Sequence, residues 1–142
     1  MDSVHVTPVT QTAISGSTVT FNVTGHNGTG VAYLKYILPQ TASYMLIYQS
    51  SNITPINNGY MNPLNPDPIF SIAANSNYSV TITAKLVMLS SSRSFSSITP
   101  TAIFSNSSLF TTLLPISATA QITPIADVTI KNIMTGQNPS AS

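Results

Sequence analysis

Tyr78-Ser79-Val80-Thr81-Ile82-Thr83-Ala84-Lys85-Leu86 alternates between apolar and polar residues without a break. An extended chain points successive side chains to opposite faces, so Tyr78, Val80, Ile82, Ala84 and Leu86 share one face and Ser79, Thr81, Thr83 and Lys85 the other. A helix would scatter both sets around its axis. The stretch predicts a strand with one buried and one wet face, and a second layer of structure to cover the buried side. The wet face is built from hydroxyls rather than charges.

Working outward, residues 18–23 repeat the pattern, with Val19, Phe21 and Val23 on one face and Thr18, Thr20 and Asn22 on the other. Ile116, Ala118, Ala120 and Ile122 alternate with Ser117, Thr119, Gln121 and Thr123. After Pro124 the alternation resumes through Ala126, Val128 and Ile130, which predicts two strands or one bent at the proline. Residues 31–38 and 44–48 are apolar on both faces, predicting strands covered on both sides and joined by a hairpin over residues 39–43. Residues 25–30, with Asn27-Gly28 inside, predict a tight hairpin turn. Residues 52–68 hold Pro55, Pro63, Pro66 and Asn58-Gly59, and predict a long irregular crossing between sheets. The Ser-rich residues 90–97 around Arg93 predict a polar loop or an exposed assembly contact. Val4 and Val6 alternate with His5 and Thr7, making residues 1–17 an extended N-terminal arm that completes its own sheet or a neighbour's. No window carries a helical period with caps. The expected fold is all-β: residues 1–142 as a single β-sandwich domain, jelly-roll or Ig-like Greek key, with about seven to nine strands.

Composition narrows the function. The charged residues are Asp2, Asp67, Asp127, Lys35, Lys85, Lys131 and Arg93, without a glutamate, where a soluble domain normally carries about a quarter of its residues charged. Ser, Thr, Asn and Gln take over the solvating role, which points to life outside the cell or inside a large assembly, and to a building block rather than a catalyst. Four scattered cations do not neutralise a phosphate backbone, so no nucleic-acid partner is expected. No apolar run approaches the length of about 18 residues that spans a bilayer, so no membrane insertion is expected. Without cysteine there is neither a disulfide framework nor a thiolate metal site. The N-terminus shows no basic and apolar secretion signal. With three carboxylates the fold has little acid-linked stability to lose, which favours a hot acidic habitat. The abundant Asn and Gln and the acid-labile Asp67-Pro68 bond stand against it.

Residues for chemistry are sparse. Only His5 and His26 offer imidazole bases, beside Asp2, Asp67 and Asp127, and no G-x-S-x-G turn occurs. The three aspartates fall in an arm, a proline-rich loop and a strand, an unpromising source for paired glycosidase carboxylates. A metal site would need His5 and His26 to meet across a sheet with an aspartate beside them. Isopeptide stapling through Lys85 or Lys131 would require an adjacent buried carboxyl, for which three Asp and no Glu are a poor supply, and both lysines fall at outward positions that favour solvation. The expectation is no catalytic, cofactor or metal site. Exposed tyrosines, from Tyr33, Tyr36, Tyr44, Tyr48, Tyr60 and Tyr78, would make a small carbohydrate-binding module, although most lie inside strands where they pack.

One local motif recurs. Asn22-Val23-Thr24, Asn27-Gly28-Thr29, Asn52-Ile53-Thr54, Asn77-Tyr78-Ser79 and Asn106-Ser107-Ser108 fit the N-glycosylation acceptor pattern. Twelve Asn among forty Ser and Thr give about three to four matches by chance. Asn27 and Asn52, in expected loops, are the better candidates.

With its Ser/Thr/Asn surface, few charges, sequons and repeated T-x-T strands, the whole chain resembles the β-sandwich structural proteins of archaeal virions and archaeal surface filaments, particularly those of thermoacidophiles. The resemblance implies self-assembly, with copies of the chain and other structural subunits as partners. As a virion component of capsid, turret or spike, the chain would fold in the host cytoplasm without a secretion signal, in keeping with its Met1 start. As an extracellular filament subunit, it would donate its N-terminal arm around residues 2–10 into the next subunit's sheet, with the two-faced strands flanking the groove.

Overall fold

The alternating stretch lies in β7 (Ser76–Met88), the longest of ten strands in the computed structural model, which describes residues 2–28, 30–57, 67–89, 97–107, 110 and 116–125. Tyr78, Val80, Ile82, Ala84 and Leu86 are buried, as the period of two requires. On one side β7 pairs antiparallel with β3 (Thr18–Asn27), from Thr18↔Lys85 through Asn27↔Ser76. On the other it pairs antiparallel with β5 (Tyr44–Ser51). β1 (Ser3–Thr7) joins the far side of β3, giving the order β1-β3-β7-β5.

The second sheet has the order β6-β4-β8-β9, built from β4 (Ala32–Ile37), β6 (Ile69–Ile72), β8 (Thr101–Ser105) and β9 (Ile116–Thr119). Its inward residues Leu34, Tyr36, Phe70, Ile72, Ala102 and Phe104 form one core with those of the first sheet. Two ring contacts bridge the layers: Phe21 to Tyr36 at 5.2 Å and Tyr78 to Phe104 at 5.8 Å between centroids. Each such fully buried side chain contributes about 1.5–3 kcal/mol over exposure. With no disulfide present, this packing is the main source of stability.

β2 (Thr10–Ile14) and β10 (Gln121–Ile125) pair in parallel. The chain leaves the first sheet between β1 and β2, where the Thr7-Pro8 bond is cis, and leaves β8 between β9 and β10. In immunoglobulin lettering β1, β3, β7 and β5 take the places of strands A, B, E and D, and β4, β8 and β9 those of C, F and G. The sandwich is therefore Ig-like rather than a jelly roll. The departure is β6, an edge strand beside β4 that the chain enters after β5.

Several expectations need correction. The ten strands among the described residues exceed the seven to nine expected, because both the N-terminal and the C-terminal edge strands divide where they change partners. The C-terminal break falls at Ala120, whose N–H donates to Pro100 O, and not at Pro124. Pro124 sits inside β10 because Ile122 N–H, two residues earlier, faces Ile98 and away from β2, so the proline's missing donor falls on that same side. Residues 25–27 belong to β3, and β3 and β4, like β4 and β5, lie in different layers, so the chain crosses between sheets at both connections, the second keeping a local turn with a Gln40–Met45 bridge. The outer faces of β4 and β5 are half-buried at Tyr33, Lys35, Met45 and Ile47, not covered. The N-terminal arm is β1 and β2 of its own fold. As expected, the connection after β5 crosses between sheets.

Gly25 sits where β1, β3 and β7 meet. A Cβ there would collide with the Ser3 carbonyl oxygen and the Tyr78 ring, whose hydroxyl donates to that same carbonyl at 2.6 Å. Gly25→Ala should cost about 2–3 kcal/mol in urea unfolding, an overpacking penalty, whereas Gly16→Ala meets open space and only the strain of its φ of +89°.

Candidate interaction surface

The outer face of the first sheet is a field of neutral hydrogen-bonding groups. Thr20 Oγ1 lies 3.4 Å from Thr83 Oγ1, Thr81 Oγ1 donates to Asn22 Oδ1 at 2.6 Å, and His26 Nδ1 lies 2.7 Å from Asn77 Oδ1. The register interlocks two sequons here: Asn22 faces Thr81, Thr24 faces Ser79 and His26 faces Asn77. Glycans on Asn22 or Asn77 would stand on this face.

The two sequons that looked best placed have structural work instead. Asn27 is fully buried at the end of β3, and its Nδ2 donates to the carbonyls of Gly30 at 2.7 Å, Ala73 at 2.9 Å and Ile72 at 3.4 Å. It pins the β3–β4 arch to the end of β6. A sugar on that nitrogen would have to displace these bonds, so Asn27 leaves the set of accessible acceptors. Asn52 is exposed, but its Oδ1 accepts from Thr81 N at 2.9 Å and its Nδ2 donates to Ser79 O at 3.1 Å, while its own N–H reaches Thr81 O. The amide imitates a peptide unit and extends the β5 side of β7 past the end of the ladder. Asn106 is exposed. Thr29 and Ser108, which complete two sequons, lie outside the described residues.

His5 faces Thr24 and His26 faces Ser3, so the imidazoles are diagonal neighbours on the outward side of β1 and β3. Asp2 Oδ1 accepts from Gly28 N at 2.7 Å, and Asp67 Oδ1 accepts from Leu38 N at 2.8 Å at a separate place. Among the described residues no three His, Cys, Asp or Glu side chains gather. Tyr36, Tyr44 and Tyr78 are buried in the core, and Tyr33 and Tyr48 are half-buried. Burial drives the Tyr36 and Tyr78 hydroxyls far above the ordinary phenol range, with Asp2 adding to the shift at Tyr78. Asp127, Lys131, Arg93, Tyr60, the Asn58-Gly59 pair and residues 90–96 lie outside the described residues.

A different feature escaped the sequence. Where the chain passes from β1 to β2, an open groove of about 340 Å³ lies between β2 and the start of β3, lined by Gln11, Ala13, Ile14, Val19 and Ile125 among others. Ile14 and Ile125 beside it are 49% and 43% exposed, and Val9, just before β2, is 63% exposed. Alternation alone gave no sign of it, because the groove exists only where two strands part.

No protein-family model matches the chain, and no curated protein matches it. Among solved structures, the crystal structure of a class 5 fimbriae chaperone, CfaA, is similar at 15% identity and a TM-score of 0.37, over 84% of this chain and 55% of that one. The chain thus spans about half the length of that protein. A similarity of this size leaves the fold to be argued from the strand order.

Two outcomes follow from the buried polar groups. Asn27→Ala strands three carbonyls at the arch and should cost about 2–4 kcal/mol in chemical denaturation, against about 1–2 kcal/mol for Asn52→Ala, whose partners reach water. Burial raises the Asp67 carboxyl above its ordinary value of 3.8, outweighing the Leu38 N–H and Lys35, which lower it. The folded state therefore holds this proton more tightly than the unfolded one. Its contribution is complete below the unfolded value and lost as pH rises through the folded one. Urea midpoints at pH 3 and pH 7 should differ less in Asp67→Asn, which keeps an oxygen for Leu38 N–H, with the wild type relatively favoured at the acid end.

Proposed function

We propose that the chain is a non-enzymatic structural subunit that assembles with copies of itself and other structural subunits into the coat of a virion, in a host from a hot acidic habitat. The observation that carries this reading is the pair of exposed apolar side chains, Ile14 and Ile125, that line a groove on a chain almost free of charge. Exposed apolar surface gains free energy when a neighbour covers it, about 25 cal/mol per Å². Sparse charge offers no long-range repulsion to oppose close approach of identical subunits. The hydroxyl and amide face of the first sheet supplies neutral hydrogen bonds that desolvate at less cost than ion pairs.

A second reading, an extracellular filament subunit joined by strand donation, is favoured by the edge left open where β1 gives way to β2. Donation by the N-terminal arm would require β1 and β2 to leave their own sheets.

Electron microscopy of native material labelled with an antibody to the chain separates the two readings: label on discrete particles is expected, and label along fibres selects the filament. A monomeric protein that binds sugars selectively would defeat both. Ile14→Glu should change folding stability by no more than about 1 kcal/mol, since its side chain is half exposed, yet move sedimentation toward single chains.

A further inference from the structure

We infer that the groove between β2 and β3 is a strand-acceptor site, and that its occupant is the C-terminal segment, residues 126–142, of a second copy of this chain. The inference rests on the assembly reading above and supplies its contact.

The direction of backbone hydrogen bonds locates the open edge. Leu86 N–H donates to Ser17 O at 2.9 Å and Gly16 N–H to Leu86 O at 2.7 Å, so the odd-numbered residues of β3 direct their peptide groups to β7. The even-numbered residues direct theirs to the other side, where Ser3, His5 and Thr7 of β1 face His26, Thr24 and Asn22. β1 ends at Thr7. Thr18 and Thr20 therefore present N–H and C=O groups to an edge that no strand among the described residues covers. The contact there is a long one, Gln11 Nε2 to Thr20 O at 3.5 Å. The opposite wall is similar. Gln121 N–H donates to Val9 O and Ser15 N–H to Ile125 O, so odd-numbered residues of β2 serve β10, while Thr10 and Thr12 face away from it. An unpaired edge with an apolar floor is the surface that an added strand completes.

The sequence of the chain that follows Ile125 fits this edge. Ala126-Asp127-Val128-Thr129-Ile130-Lys131 alternates with the period of two. Laid beside Thr18–Phe21, which is about 13 Å of strand, its apolar set would face inward with Ala13 and Val19, which line the groove. Its polar set would continue the hydroxyl face of Thr18 and Thr20, with Asp127 brought to the side on which Lys85 stands opposite Thr18. A second copy is the donor because β10 runs parallel to β2 and ends opposite Ile14, at the end of the groove. Entry into its own groove would need an immediate reversal, and residues 126–131 hold no Gly, Pro or Asn, with Asp127 as their one turn-forming residue and Val128 after it.

The test is amide hydrogen exchange of the full chain, followed by NMR over a range of protein concentrations, with electron microscopy of the same samples. Thr18 and Thr20 amides should slow by about 10-fold or more as concentration rises and assemblies appear. The double variant Val128→Asp/Ile130→Asp should lose that protection while the β3–β7 amides keep theirs. Thr20→Pro, which deletes a donor on the open side only, should weaken assembly likewise. Protection that is independent of concentration would mean the segment folds back in its own chain, and would overturn the inference. Assemblies that form with Thr18 and Thr20 unprotected would overturn it too, while leaving the assembly reading intact. A chain that stays single at every concentration, with no particles or fibres, would remove both.

Discussion

The antiparallel ladder between β3 and β7, ten residue pairs from Thr18↔Lys85 to Asn27↔Ser76, is the constraint on which the rest of the structure depends. It holds Val19, Phe21 and Val23 beside Ala84, Ile82 and Val80 as one apolar surface, and that surface needs a second layer. The layer over β4 and β8 supplies it through Tyr36 and Phe104, whose rings meet Phe21 and Tyr78 across the sandwich. Because the register fixes both faces at once, the same ladder lines up the outward Thr, Ser and Asn side chains. A slip of one residue would bury the hydroxyls and expose the core.

Scarcity of charge alters how this sandwich finishes its edges and loops. Asparagine amides stand in for peptide groups where the ladder or an arch runs out: Asn52 beside Thr81, Asn27 among three carbonyls, and Asn57, which accepts from Ile69 N and donates to Asp67 O. An amide carries a donor and an acceptor at peptide spacing and enters a half-buried site without the desolvation penalty of an ion. Such bonds respond little to salt or pH, in keeping with a chain whose few carboxylates leave acid little to act on. Asn27 and Asn52, which also head Asn-x-Ser/Thr motifs, have their amides engaged in these bonds.

The division of the N-terminal segment between two sheets has an energetic consequence. β1 covers half of the outer edge of β3 and β2 turns to β10, so the peptide groups that Thr18 and Thr20 direct away from β7 have no strand beside them among the described residues. This edge, where the Thr20 carbonyl takes only a long bond from the Gln11 amide, lies near exposed Ile14 and Ile125. Natural sheets usually blunt such edges with charge. This one carries none.

The sequence by itself determined the all-β class, the inward and outward faces of β3 and β7, the core residues on them, and the crossing after β5. Those properties follow from a local period of two and from turn and proline chemistry, which act within a few residues. Only the tertiary structure decided that β3 and β4, and β4 and β5, lie in different sheets rather than pairing as hairpins, since a connection reads the same whether its strands pair or face each other across a core. It alone gave Asn27 and Asn52 their partners, 45 and 29 residues away in Ile72 and Thr81. The groove arises only where β2 parts from β3, and the separation of two strands is a property of their partners, which no single segment encodes.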